Sequence, residues 1–309
     1  MGRARGGTVT HAVCIPAPLT GLLEGAAQGT VLAVFERGAY VDLAGHILAL
    51  TSAAAGRGPL TVVLSDPVAI APVGVGDPVR LEDRVLWVGP HAVAVAGADG
   101  WDPALPQPSA PSPAGSARAL EQVAEELRGS ASPDSLVGLL DLAARPVREG
   151  PWQWAAADRL APIRGGLEVI GRFLAGFASV EDVTRAVASG VAGRGPGLTP
   201  SGDDLLTGVM HAITVWPHIA APADGVRARE VLAAAALGRT TRISAAYLQA
   251  AAEGLAAEPW HGLVRSLDRS ASAVKAAVRR ILAVGHTSGA DALTGFCWGW
   301  YLATRRAPS

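Results

Sequence analysis

Residues 101–116, WDPALPQPSAPSPAGS, carry five prolines. Proline fixes φ and has no amide hydrogen, so neither a helix interior nor a sheet interior accommodates that density. The stretch therefore separates two parts of the chain, and the hydrophobic period differs on its two sides. Upstream, apolar residues come in short or alternating runs at 30–35 (TVLAVF), 39–43 (AYVDL), 46–50, 60–64, 79–81, 84–88 and 91–96. Gly, Pro and Asp punctuate them, which predicts a small β-barrel or sandwich-like domain over residues 1–100. Downstream, apolar residues recur every three or four positions at 117–128, 135–144, 167–177, 183–188, 205–216, 226–237, 244–252, 271–283 and 291–303. That spacing predicts a mostly α-helical domain over residues 117–309. The chain reads as α+β: a β-rich N-terminal domain, a Pro-rich connector over 101–116, and a helical C-terminal domain.

Composition excludes several classes. Half of the 309 residues are hydrophobic and 17% are charged, a balance that buries a core rather than staying disordered. The net charge of −1 offers no basic surplus for nucleic acid. No apolar run reaches the roughly 18 residues of a membrane helix. The N-terminal MGRARGGTVTHAVCIPAP lacks the apolar core of a secretory signal, so a cytoplasmic protein is expected. The two cysteines, Cys14 and Cys297, make neither a disulfide framework nor a C-x-x-C zinc knuckle. Both read as small buried hydrophobes.

One eight-residue pattern occurs twice. SGDDLLTG at 201–208 aligns without gaps on SGADALTG at 288–295, identical at six positions. Each copy follows a glycine-containing loop (193–200 and 285–287) and opens an apolar run. Part of this is helix-start chemistry. S-x-x-D before an apolar run is a capping box, with Ser201 and Ser288 as caps and Asp204 and Asp291 bonding back. Gly208 and Gly295, one turn on, would let two helices cross closely. Three features exceed that account. Glycines ahead of a helix bring backbone amides close to an anion. Asp203 is not needed by the box, and so should be dispensable to the fold. The duplication suggests two helix N-termini facing each other around a pseudo-twofold axis, lined by the hydroxyls of Thr199, Ser201, Thr287 and Ser288. His286 beside the second loop is a candidate donor or acid–base group.

A third segment, GRTTRIS at 238–244, presents Arg239, Thr240, Thr241 and Arg242 from one short loop, suited to an oxyanion, with Ser244 as the expected cap of the next helix. The candidate catalytic residues are Asp203, Asp204 and Asp291. The candidate anion-binding residues are Arg194, Gly195, Gly197, Thr199, Ser201, Gly202, Arg239, Thr240, Thr241, His286, Thr287, Ser288 and Gly289. No cofactor is expected; a divalent cation at Asp203, Asp204 and Asp291 would lack a full ligand set. The Gly loop is neither a Walker A sequence nor a dinucleotide fingerprint. The chain has no G-x-S-x-G elbow and no H-E-x-x-H. Trp152, Trp154, Trp298 and Trp300 read as packing residues, and His11, His46, His91, His211, His218 and His261 as scattered.

The combination of GRGPGLTPSGDDLLTG (193–208), TTRISAAYL (240–248) and TSGADALTG (287–295) resembles a bacterial family of domains of unknown function, the AllH-like family, named for a subunit of the oxamate carbamoyltransferase of anaerobic allantoin breakdown. The resemblance covers the helical half and touches the β-rich half only in broad pattern. It implies a transferase subunit in purine catabolism, acting with two other kinds of subunit to exchange a carbamoyl group between oxalurate and phosphate. Its substrates would be small anions, in keeping with an anion pocket at paired helix starts. A non-catalytic binding or scaffolding subunit and a metal-assisted hydrolase of a small amide stay open, as does homo-oligomerisation. Neither nucleic acid nor a membrane is an expected partner.

Overall fold

The computed structural model describes residues 9–36, 38–66, 73–107, 113–140, 161–216 and 225–304. The chain divides into two compact units, Met1–Pro103 and Ala104–Ser309.

In the first unit the described strands are β1 (Thr10–Pro16), β2 (Ala27–Phe35), β3 (Gly38–Leu43), β4 (His46–Ser52), β5 (Thr61–Leu64), β6 (Pro78–Glu82), β7 (Val85–Val88), β8 (His91–Ala94) and β9 (Asp99–Trp101). Pairing runs β5-β4-β3-β2-β6-β7-β8-β1 and returns from β1 to β5, closing an eight-strand barrel, with β9 alongside β1. The period-2 pattern is the cause. In β6, Val79 and Leu81 are buried while Pro78, Arg80 and Glu82 face out. Val31, Val41, Leu43, Leu48, Leu50, Leu81, Leu86 and Val93 fill the interior. The sequence pattern predicts β2 to β8 with shifted ends and assigns no strand to β1 or β9. Yet β1 is the strand that closes the ring, antiparallel to β5 and parallel to β8.

The described α-helices of the second unit are α1 (Pro113–Ser130), α2 (Ala161–Leu174), α3 (Val180–Gly190), α4 (Ser201–Val215), α5 (Gly225–Ala236), α6 (Arg242–Ala252), α7 (Glu258–Ser266), α8 (Ala271–Leu282) and α9 (Ser288–Thr304). None is long and apolar enough to cross a membrane. The helix expected from Ser135 is instead a short 3₁₀ turn over Leu136–Leu139, capped by Ser135. Its remainder, together with Trp152, Trp154 and His218, lies outside the described residues. The pattern assigns nothing to α7. There Trp260, Leu263 and Val264 bury one stripe behind a proline in the first turn.

α4 and α9 form the centre of this unit. Nearly every residue from Leu205 to Val215 and from Gly289 to Trp300 is buried. The two helices touch backbone to backbone. A methyl group on Gly208 would strike the Ala292 carbonyl, and one on Gly295 would strike the Leu205 carbonyl. Beyond the crossing, Trp216 packs on Phe296 and Trp300, and Trp260 on Phe296, so Trp300 serves packing as its sequence suggests. Cys297 is fully buried there, and burial pushes its thiol up to about 12, so it stays a neutral hydrophobe.

Candidate functional site

The loop ahead of α4 turns on three glycines with positive φ: Gly193 (69°), Gly195 (118°) and Gly197 (92°). Gly193 packs on the Arg239 carbonyl, while a Cβ on Gly195 would come within 2.7 Å of the Ser201 amide. Pro200 ends the loop and is the N-cap residue of α4; no side chain caps this helix. Its carbonyl accepts from the amides of Asp203 at 2.9 Å and Asp204 at 3.1 Å. The expected capping box is therefore corrected. With Pro200 extended at the cap, Ser201 is pushed one position inside the helix and its hydroxyl is out of register with the amide three residues on. α9 begins at Ser288, whose Oγ lies 3.0 Å from Thr199 Oγ1 on the other loop. The Asp291 amide donates to the Thr287 carbonyl at 2.8 Å. The Asp291 carboxylate reaches away from its own helix start, where Oδ1 accepts from the Leu136 amide at 2.6 Å.

Asp203 is 1% exposed and its carboxylate joins three segments. Oδ1 accepts from the Gly193 amide at 2.9 Å. Oδ2 accepts from the hydroxyls of Thr240 and, at 2.8 Å, Ser244. The extra carboxylate of the motif thus ties the Gly loop to the start of α6, and its expected dispensability to the fold is corrected. Ser244 is likewise not the cap of α6. Thr241 caps it, accepting from the Ser244 amide at 3.0 Å and donating to the Leu198 carbonyl at 2.5 Å. Asp203→Asn should destabilise the chain by about 1–3 kcal/mol in urea unfolding, because an amide nitrogen cannot accept from those hydroxyls; an unchanged midpoint would show that this junction does not hold the loop.

Asp204, the next residue, is in a different state. It is half-buried, and its Oδ2 is closed to solvent without a hydrogen-bond partner among the described residues. Burial is the largest influence on its carboxyl and pushes it well above the usual carboxylate range. The Asp291 and Asp203 carboxylates push the same way, while the hydroxyls of Ser288 and Thr199 pull partly back. Alone, Asp204 holds its proton more tightly than an ordinary aspartate.

The remaining candidates lie around this cluster. Gly202 packs on the Val191 carbonyl and Gly289 on that of Ile281, both too close for a side chain, whereas Gly197 faces open space. Arg194 is exposed and donates to the Ser189 carbonyl at 2.8 Å. Arg239 is exposed on an open groove of about 400 Å³ that it shares with Glu181, Arg185 and Ser189. His286 is exposed, and Thr287 half-buried. The structure thus brings Thr199, Asp203, Asp204, Ser288 and Asp291 together and leaves the arginines on the rim. Sequence reasoning missed the Leu136 amide, 155 positions from its carboxylate, for which no local signal exists. His211 is fully buried edge-on against Trp260, and burial, with His261 and Arg229, lowers it to about 3, so it stays neutral. Among the described residues no group of three or more His, Cys, Asp or Glu side chains is arranged to hold a metal ion.

No solved structure matches the chain. One family model does, over residues 191–300, a stretch that includes the Gly loop, α4 and both S-G-x-D segments: this part of the chain is similar to the family described as oxamate carbamoyltransferase subunit AllH.

Proposed function

We propose that this chain is a subunit of a carbamoyltransferase-type complex, and that its helical unit binds small anionic substrates at the starts of α4 and α9. The carrying observation is that the stretch similar to the AllH family contains the whole cluster of Thr199, Asp203, Asp204, Ser288 and Asp291. Reciprocal packing of Gly208 on Ala292 and Gly295 on Leu205 supports reading the two loop–helix segments as a repeat about a pseudo-twofold axis. The positive ends of the α4 and α9 dipoles suit the charge of oxalurate, oxamate, phosphate or carbamoyl phosphate. The hydroxyls of Thr199 and Ser288 orient them. Arg194 and Arg239, exposed beside Gly193, give the approach positive charge. Holding the amide nitrogen, a task that suits a carboxylate with an uncommitted oxygen, belongs to Asp204 rather than to the fully bonded Asp203.

The test is carbamoyl phosphate formation from oxalurate and phosphate, by the purified chain alone and with the subunits encoded beside it. Activity of the assembled complex that falls about 100-fold or more in Asp204→Asn is the expected result. Full activity of that variant would make the chain a scaffold, and an inert complex would remove the transferase reading.

A further inference from the structure

His211 is a titratable side chain placed where a charge has no support. It lies on α4 about two turns beyond Asp204. It is 2% exposed, and its ring stands edge-on to Trp260 of α7 with the centroids 4.8 Å apart. Nδ1 is sealed from solvent without a hydrogen-bond partner among the described residues. The surroundings are basic. His261, next to Trp260 on α7, and Arg229 of α5 are both buried. Arg229 Nε donates to the Ala252 carbonyl at 2.9 Å. The Cβ position of Gly254 has Thr214 Cγ2 of α4 at 3.4 Å and the Arg229 guanidinium at 3.9 Å, so this cation lies against the same helix. The charged groups of the neighbouring helices stand elsewhere. Arg227 and Glu230 of α5, Arg242 of α6, and Glu258 and Arg265 of α7 are exposed. Asp291 of α9 turns to the Leu136 amide, and Asp203 and Asp204 lie back at the start of α4. Tyr247 of α6 and Cys297 and Tyr301 of α9 are neutral at and below neutral pH. The groups that act on His211 are His261 and Arg229, and both oppose a positive charge on it.

We infer that His211 is an acid-sensitive lock: neutral, it lets α7 close on α4, and proton uptake drives the two helices apart and loosens the helical unit. An imidazolium here would be a second buried cation beside Arg229, with neither water nor a carboxylate to receive its new N–H. Trp260, the ring it would displace, also packs on Phe296 of α9, so the disturbance reaches the helix that crosses α4. The direction follows from the two end states. The unfolded side chain takes a proton near 6.5, whereas burial first, and then His261 and Arg229, lower the native one to about 3. The stability allowed by the neutral ring is therefore complete above 6.5 and is lost as pH falls towards about 3. This lock goes beyond the transferase reading and does not depend on it, because it sits in the middle of α4 and not at the helix starts.

The experiment follows urea unfolding of the full chain by circular dichroism across acid and neutral pH. It compares the wild type with His211→Gln and His211→Phe, whose side chains are neutral throughout, and with His46→Gln, an exposed histidine at the start of β4. Relative to His211→Gln, the wild-type unfolding constant should rise by up to about tenfold per pH unit as the pH falls below that of the free imidazole. His211→Phe should show the same relief, and His46→Gln should keep the wild-type slope. Curves for His211→Gln and the wild type that run parallel overturn the inference. Where neither His211 variant folds, nuclear magnetic resonance of the wild type decides. The His211 Cε1–H signal, identified by its Overhauser contact with the Trp260 ring, should keep the position of a neutral imidazole for as long as the chain stays folded. An ordinary titration of that signal near pH 6.5 in the folded chain overturns the lock.

Discussion

Gly208→Ala is expected to cost about 3 kcal/mol or more and to leave little folded helical unit, because the new methyl meets a backbone carbonyl that has nowhere to move. That carbonyl belongs to Ala292, inside a helix buried along most of its length. Gly295→Ala should do the same through the Leu205 carbonyl. The contrast is Gly165→Ala. Gly165 is exposed on α2 with nothing near the position of a Cβ, so alanine there should stabilise by about 0.5–1 kcal/mol. Urea unfolding followed by far-ultraviolet circular dichroism reads all three. A neutral Gly208→Ala would mean that α4 and α9 are free to part, and the two helix starts would then not be held together.

Asp204→Asn should make the chain more stable at neutral pH, and increasingly so as pH rises. Folding raises the Asp204 carboxyl above its ordinary value of 3.8, chiefly through burial, so the native state keeps a proton that the unfolded chain releases. The contribution of this group is complete below that value and is lost as pH climbs towards the raised folded value. The loss runs at up to about 1.4 kcal/mol per pH unit and ends above the folded value. Asparagine is neutral throughout and escapes the loss. The two unfolding free energies should therefore agree near pH 4 and diverge towards pH 8. Parallel curves over that range would show that Asp204 ionises freely in the native state. Greater stability joined to loss of carbamoyl transfer in the complex would mark a residue kept for chemistry at the expense of the fold.

Neighbouring residues show how far local pattern reaches. The barrel strands from β2 to β8 are legible because burial on one face imposes period 2, as at Val79 and Leu81. β1, THAVCIP, is buried at Thr10, Ala12 and Cys14 and again at Ile15 and Pro16, so its alternation holds over the ring-closing residues and fails where it pairs with β9. The partners that make it a strand are β5 and β8, far along the chain. α7 escapes notice because nine residues give barely two turns of stripe. In the S-G-D-D segment, the local pattern does not say which aspartate is committed. Capping rules favour Asp204 as the structural residue, yet Pro200 takes the cap position, and Thr240 from the loop before α6 and Ser244 from its first turn occupy Asp203.

By itself, then, the sequence determined an α+β chain with β-structure before the prolines and helices after, and it marked two S-G-x-D helix starts as the place of interest. Those are consequences of periodicity and backbone chemistry, which act over a few residues. Closure of the barrel, the crossing at Gly208 and Gly295, and the different bonding of Asp203 and Asp204 were decided only in the tertiary structure. Each depends on groups that meet from tens of positions away, and the desolvation that separates the two carboxylates exists only once α4 and α9 are packed.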